Sequence, residues 1–340
     1  MKAKKLVCIA AAAACACGAL VGCADDNGDG IEKFEVYMPD GAPAIAMSAL
    51  MNDGYYATDF TVVQASTISM RVASGDADLA IMPVNAAAAL YNGGKKITML
   101  SVQTHGNLYF VGKDADGVTL ENLVGKRVGV IGRGQVPDLT LRMLLDESGI
   151  GYEESADAVN GKIALTYGAD GPSLLPLLKQ GKIDYAFLAE PAATNAVNNL
   201  STAEKPLAIV MDAQELWREA FDTEYPQACL VAQNDVVSKH PEYVKWFMRA
   251  LKSTDGWAET NSSKAIAAVA ANMETGVAST LPASLAADVI ARCNIETVYA
   301  WDAKADCAAY FQKLTTLQTE LGEPVLSKVP DEKFYLEAWN

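Results

Sequence analysis

The sequence predicts an α/β protein built as two lobes, and three observations carry that reading. Strand, loop and helix recur three times within about 60 residues after Phe34, the sequence form of strands laid side by side with helical crossovers. The rhythm is interrupted by an extended crossing near 103–112, resumes in a second unit, and is interrupted again near 221–231. Beyond the N-terminal segment about 310 residues remain, more than one hydrophobic core usually serves.

The chain opens with Lys2, Lys4 and Lys5, an apolar run from Leu6 to Leu20, and Leu20-Val21-Gly22-Cys23. A basic region, an apolar region and small residues before a cysteine predict a lipoprotein signal peptide over 1–22, with Cys23 as the diacylated N-terminus. The apolar run of about 15 residues is short against the roughly 20 that span a bilayer. Residues 23–32 are acidic and glycine-rich, with nothing apolar to bury across Ala24–Gly30, and predict a flexible tether. Everything after it is expected on the outer side of the cytoplasmic membrane.

In the first unit, Phe34–Met38 alternates as a strand, and Asp40 and Pro43 suit the N-cap region and first turn of a helix over Ala44–Met51. Phe60–Val63 is a strand followed by a helical stretch ending at Gly75. Asp78–Met82 is an apolar strand running through Pro83-Val84-Asn85 into an alanine-rich helix that reaches Tyr91. Ile97–Val102 then continues through Thr104-His105-Gly106 to Leu108–Val111. In the second unit, strand Arg127–Ile131 leads through Gly132-Arg133-Gly134-Gln135 to a helix over Val136–Ser148, with Asp138 in its first turn. Strand Ile163–Tyr167 precedes Gly168–Pro172 and a helix to Gln180, and Tyr185–Leu188 precedes Ala189-Glu190-Pro191 and another helix. After Leu207–Met211 and a helix near Trp217, strand Ala228–Val231 carries the chain back to the first unit. From Pro241 the chain reads as mostly helical, over 241–259, 283–292 and 304–321. Lobe 1 is therefore assigned to 33–108 and 226–340 and lobe 2 to 109–225, with the two crossings acting as a hinge of bending strands.

A formal charge of −15, more negative still once the three signal-peptide lysines are lost, argues against nucleic acid as a partner. His105 and His240 are the only histidines, so a histidine-rich metal site or a Ser-His-Asp triad has little to draw on. No metal, cofactor or catalytic residue is assigned. Cys229, Cys293 and Cys307 are an odd set, read either as three buried thiols or as one Cys293–Cys307 bridge and a free thiol.

In open parallel sheets ligands sit beyond the carboxyl ends of the strands, where loops meet helix N-termini. That rule selects Asp40, Gly41 and Ala42 after the first strand, Asn85 after the third, and Thr104 and His105 at the crossing. In the second unit it selects Gly132, Arg133, Gly134 and Gln135, then Asp170, then Glu190. The Gly132 loop matches neither the P-loop nor the GxGxxG pattern, and can either hold an anion or polar headgroup or simply make a tight turn. Arg133 and the helix N-termini favour an anionic or polar organic ligand. Glu190 can contact ligand, join the lobes on closure or cap the helix after Pro191. Tyr37, Tyr109, Tyr167 and Trp217 lie near these loops, as core or as stacking surfaces. His105 with Glu190 is the only acid–base pair that could support an enzyme.

Asp40-Gly41-Ala42-Pro43-Ala44, Gly75–Pro83 with Asn85-Ala86-Ala87, His105–Tyr109, and Gly132–Asp138 with Glu190-Pro191 resemble, in order, the solute-binding lipoproteins of ABC importers. The resemblance is to the branch related to nitrate, sulfonate, taurine and thiamine-pyrimidine (NMT1/THI5-like) binders. It implies a type II periplasmic-binding fold, a monomer closing on one small molecule, and delivery to a membrane permease. Its alternatives are an enzyme on the same fold, of chorismate-dehydratase or pyrimidine-synthase type, and a ligand-sensing lipoprotein. The cysteine-rich motif of the fungal synthase relatives does not occur in this sequence.

Overall fold

The computed structural model describes residues 33–339 except 56, 114, 115 and 320. Cys23, the signal peptide and the tether lie outside the described residues. Strands β1 (Phe34–Pro39), β2 (Thr58–Val63), β3 (Leu79–Pro83) and β4 (Ile97–His105) alternate with helices α1 (Ala42–Asp53), α2 (Ile68–Ser74) and α3 (Val84–Asn92). The second series comprises β5 (Leu108–Lys113), β6 (Arg127–Ile131), α4 (Val136–Glu147), β7 (Tyr152–Glu154), β8 (Ile163–Gly168), α5 (Gly171–Lys179), β9 (Tyr185–Ala189), α6 (Ala192–Leu200), β10 (Leu207–Asp212) and α7 (Ala213–Phe221). The chain then returns through β11 (Pro226–Gln233), α8 (Asn234–Lys239), α9 (Pro241–Ser253), α10 (Trp257–Thr260), α11 (Ser262–Ala271), α12 (Ala287–Ala291), β12 (Ile295–Tyr299) and α13 (Ala300–Leu314).

These strands form two sheets of six, ordered β12-β4-β11-β3-β1-β2 and β10-β5-β9-β6-β8-β7. Parallel pairing with helical crossovers holds for β2-β1-β3 and for β7-β8-β6-β9, but each sheet also contains antiparallel pairs. The strands that run against the parallel set are β5 in the second sheet and β11 and β12 in the first.

Local sequence accounts for the elements. Leu79–Met82 is buried along its length, as a central strand covered on both faces must be. Helix α1 is apolar almost all round and is buried between the first sheet and α11, and Gly54, at φ 66°, ends it in the left-handed conformation. Asp212 caps α7 by accepting from Gln214 N at 2.7 Å. Among the described residues no helix is long and apolar enough to cross a membrane.

The C-terminal region corrects the sequence reading. Ile295–Tyr299 is an edge strand antiparallel to β4, because Ile-Glu-Thr-Val-Tyr combines β-branched and aromatic residues with a polar partner. The helix expected over 283–292 contracts to α12, and that expected over 304–321 begins at Ala300 and ends at Leu314, before Thr315-Thr316. Cys229, Cys293 and Cys307 are each free and buried, so the Cys293–Cys307 bridge is not formed.

One apolar cluster joins the sheets, running from Met82 and Val102 in the first through Leu108, Phe110 and Val128 in the second to Trp217 and Tyr310. Helix α13 packs on β4 and sets Tyr310 5.6 Å from the Trp217 ring, with its hydroxyl 3.3 Å from Thr140 Oγ1. Where β4 gives way to β5, a Cβ on Gly106 would lie 2.2 Å from Gln214 Oε1 and 2.6 Å from Tyr225 Cε1. Close approach, not backbone angle, requires glycine there.

Candidate functional site

Loops at the carboxyl ends of the parallel strands of both sheets enclose a cavity of about 540 Å³, within the roughly 300–1,000 Å³ of small-molecule sites. From the first sheet come Asp40, Gly41 and Ala42 after β1, and Thr104 near the end of β4. From the second come Gly132, Arg133 and Gln135 after β6, Asp170 before α5, and Glu190 after β9. Asn85, His105 and Gly134 were expected in the same site and do not line it.

Their actual places have physical reasons. Asn85 is buried at the start of α3 and donates from Nδ2 to Gly134 O at 3.1 Å, so these two residues join the two halves of the molecule. His105 Nε2 lies 3.3 Å from Glu296 O, and burial pushes its imidazole pKa below the ordinary value of 6.5. The acid–base pair considered for His105 and Glu190 is therefore not assembled in this cavity.

The carboxylates of the cavity are engaged by the protein. Asp40 does not cap α1. Its Oδ1 accepts from Ser279 Oγ at 2.9 Å and its Oδ2 from Thr280 Oγ1 at 2.8 Å, which fixes the 279–282 segment over the cavity wall. Asp170 caps α5 by accepting from Ser173 N at 3.0 Å. Asp138, which is buried in the first turn of α4 and does not line the cavity, accepts from Gly134 N at 2.8 Å and Tyr167 Oη at 2.9 Å. The side chain of Glu190 is fully buried: Oε1 accepts from Arg292 Nε at 2.9 Å and Thr194 Oγ1 at 2.6 Å, and Oε2 from Thr194 N at 3.0 Å. Glu190 thus caps α6 and also pairs with Arg292 at the end of α12. Arg133 pairs with Glu154 and lies 5.2 Å from the Tyr167 ring centroid.

Sequence reasoning missed several cavity residues. Ser66 and Ser69, between β2 and the first turn of α2, obey the same strand-end rule that selected the others. Gln227 lines the cavity from the second crossing, where a polar residue between Pro226 and an apolar strand was the available signal. Thr280 and Leu281 lie in irregular chain with no periodicity to mark them. None of Tyr37, Tyr109, Tyr167 and Trp217 lines the cavity: Tyr109 donates to Arg292 O at 3.0 Å and Trp217 is core. Among the described residues no group of three or more His, Cys, Asp or Glu could hold a metal ion.

The solved structures similar to this chain share its whole architecture. An ABC transporter structure from Parabacteroides distasonis is 20% identical with a TM-score of 0.70, covering 91% of this chain and 100% of that one. The periplasmic aliphatic sulphonate binding protein of Escherichia coli is 14% identical with a TM-score of 0.58, covering 88% and 98%. A Candida albicans protein described as having the generic periplasmic binding protein fold is 13% identical with a TM-score of 0.57, covering 91% and 98%. The two-sheet architecture is thus the periplasmic-binding-protein fold. No curated protein matches the sequence. The sequence pattern of the family described as NMT1/THI5 like matches residues 58–265, and since that is more than half of the chain, the protein belongs to the NMT1/THI5 like family.

Proposed function

We propose that this protein is an extracytoplasmic, lipid-anchored solute receptor, not an enzyme, that captures a small organic molecule between two lobes and delivers it to an ABC importer. Lobe 1 comprises 33–108 and 226–340, lobe 2 comprises 109–225, and the receptor acts as a monomer. The observation that carries the reading is the cavity, whose walls come from strand-end loops of both sheets. A ligand touching both lobes favours the closed arrangement by its differential contacts, and that coupling is what a permease can sense. The fold supports it, since structures sharing it include one described as a periplasmic sulphonate binding protein. Asp40, Gly41, Ala42, Thr104, Gly132, Arg133, Gln135, Asp170 and Glu190 form the ligand-facing wall in this reading, and Asn85 and Gly134 join the lobes beside it.

Native mass spectrometry of the protein as purified identifies retained cargo, and small-angle scattering with that cargo is expected to show a smaller radius. An unchanged radius at saturation, or chemical conversion of the bound molecule, rejects the receptor. Cys23→Ser is expected to move the protein from the membrane to the soluble fraction, and retention at the unsubstituted level rejects the anchor.

A further inference from the structure

Resting on the receptor reading of this cavity, we infer that its cargo is an uncharged molecule with an apolar body, and that anions are rejected. The charge of the lining is the first reason. Of the lining carboxylates, Glu190 is neutralised by Arg292 while Asp40 and Asp170 accept from neutral groups, and the lining guanidinium Arg133 is itself paired with Glu154. An incoming anion would meet net negative charge and lose its own hydration without gaining a dedicated partner.

The second reason is that helix N-termini, the usual anion sites of such folds, are depleted of donors here. Helices α1, α4 and α5 carry Pro43, Pro137 and Pro172 in their first turns, and each proline removes an N–H donor that would face the ligand. Two further donors at helix starts by the cavity serve carboxylates of the protein, Ser173 N serving Asp170 and Thr194 N serving Glu190, and beside it Gly134 N serves Asp138.

The third reason is what is left to recognise a ligand. Met82, Ile131, Val136, Leu175 and Leu281 present carbon, and Ser69, Thr104, Gln135, Asn195 and Gln227 present neutral hydrogen-bonding groups. Such a lining binds an apolar body by area and orients it through a few amide or hydroxyl contacts.

Two fluorescent probes that differ by one sulfonate separate the classes. N-phenyl-1-naphthylamine is neutral, and 1-anilinonaphthalene-8-sulfonate adds the charge to the same rings. Titrated into the full chain, the neutral probe is expected to bind one saturable site at least about tenfold more tightly than the sulfonate. Ser69→Trp, which fills the cavity, is expected to abolish that site while the thermal melt is retained. Asp170→Ser keeps a capping hydroxyl but removes one negative charge, and is expected to narrow the discrimination by roughly threefold. Equal or tighter binding of the sulfonate overturns the inference, as does neutral-probe binding that survives in a folded Ser69→Trp protein. Sulfonate preference leaves the receptor reading standing, whereas conversion of a bound cargo overturns that reading and leaves the probe ratio as measured.

Discussion

Replacing Arg292 with methionine strips the countercharge from a carboxylate whose side chain has no exposed surface. Breaking a buried ion pair from one side typically costs about 3–5 kcal/mol, because the remaining charge is left unpaired. Two features reduce that here: the Arg292 side chain is 35% exposed, and Thr194 still gives Glu190 an N–H at 3.0 Å and a hydroxyl at 2.6 Å. Roughly 2–3 kcal/mol is therefore expected, a fall in Tm of about 3–5 °C for a chain of this size. Urea denaturation of the single variants Arg292→Met and Glu190→Gln and of their combination completes a double-mutant cycle. The combined variant is expected within about 1 kcal/mol of the parent, since a neutral amide can still accept from Thr194 and no orphan charge remains. A loss below about 0.5 kcal/mol in Arg292→Met, or a double variant that merely sums the single losses, refutes the assignment of this pair as a structural tie.

Gly106→Ala places a methyl group against Gln214 and Tyr225 at the first crossing and is expected to cost about 1–3 kcal/mol, read by the same urea titration. Unchanged stability would show that the crossing yields freely. His105 gives a pH dependence of definite sign. Burial lowers its folded pKa below 6.5, against the weaker pull of Glu296, Glu224 and Asp306. The unfolded chain therefore takes up a proton first as pH falls below 6.5, and stability is lost from there down to the folded pKa. His105→Gln is expected to lose less stability than the parent between about pH 7.5 and about pH 5, and equal losses reject the account.

Most strands and the loops at their carboxyl ends were legible in the sequence because buried parallel strands are short apolar runs followed by glycine or proline. Leu79–Met82 into Pro83 and Tyr185–Leu188 into Pro191 show the pattern directly. Strand Ile295–Tyr299 was missed because an edge strand is half exposed and its neighbours are helical, so no run of apolar residues marks it. In the site, loop positions were readable but side-chain roles were not. Glu190 could be read as ligand contact, lobe tie or cap, and its partner Arg292 is 102 residues away. Asp40 bonds to Ser279 and Thr280, a pairing that no local spacing reveals. His105 sits beside Thr104, yet alternation along β4 turns one toward the cavity and the other away from it.

How the lobes can part follows from the unequal strength of the contacts that join them. Trp217 and Tyr310 are almost fully buried where α13 meets α7, and aromatic side chains bury about 150–250 Å² each. At about 25 cal/mol per Å², exposing the pair would cost on the order of 8–12 kcal/mol. The Glu190–Arg292 contact instead exchanges with water, and hydrogen bonds of that kind contribute only about 1–3 kcal/mol each. If the protein works as the proposed two-lobe receptor, opening is expected to pivot on the α13 face and separate the lobes at Arg292. A ligand that touches both walls of the cavity adds to the weaker side of this balance, which is where a modest binding energy can decide the population of closed molecules. Arg292→Met, by weakening that side further, is expected to enlarge the unliganded protein in small-angle scattering while leaving the liganded radius unchanged.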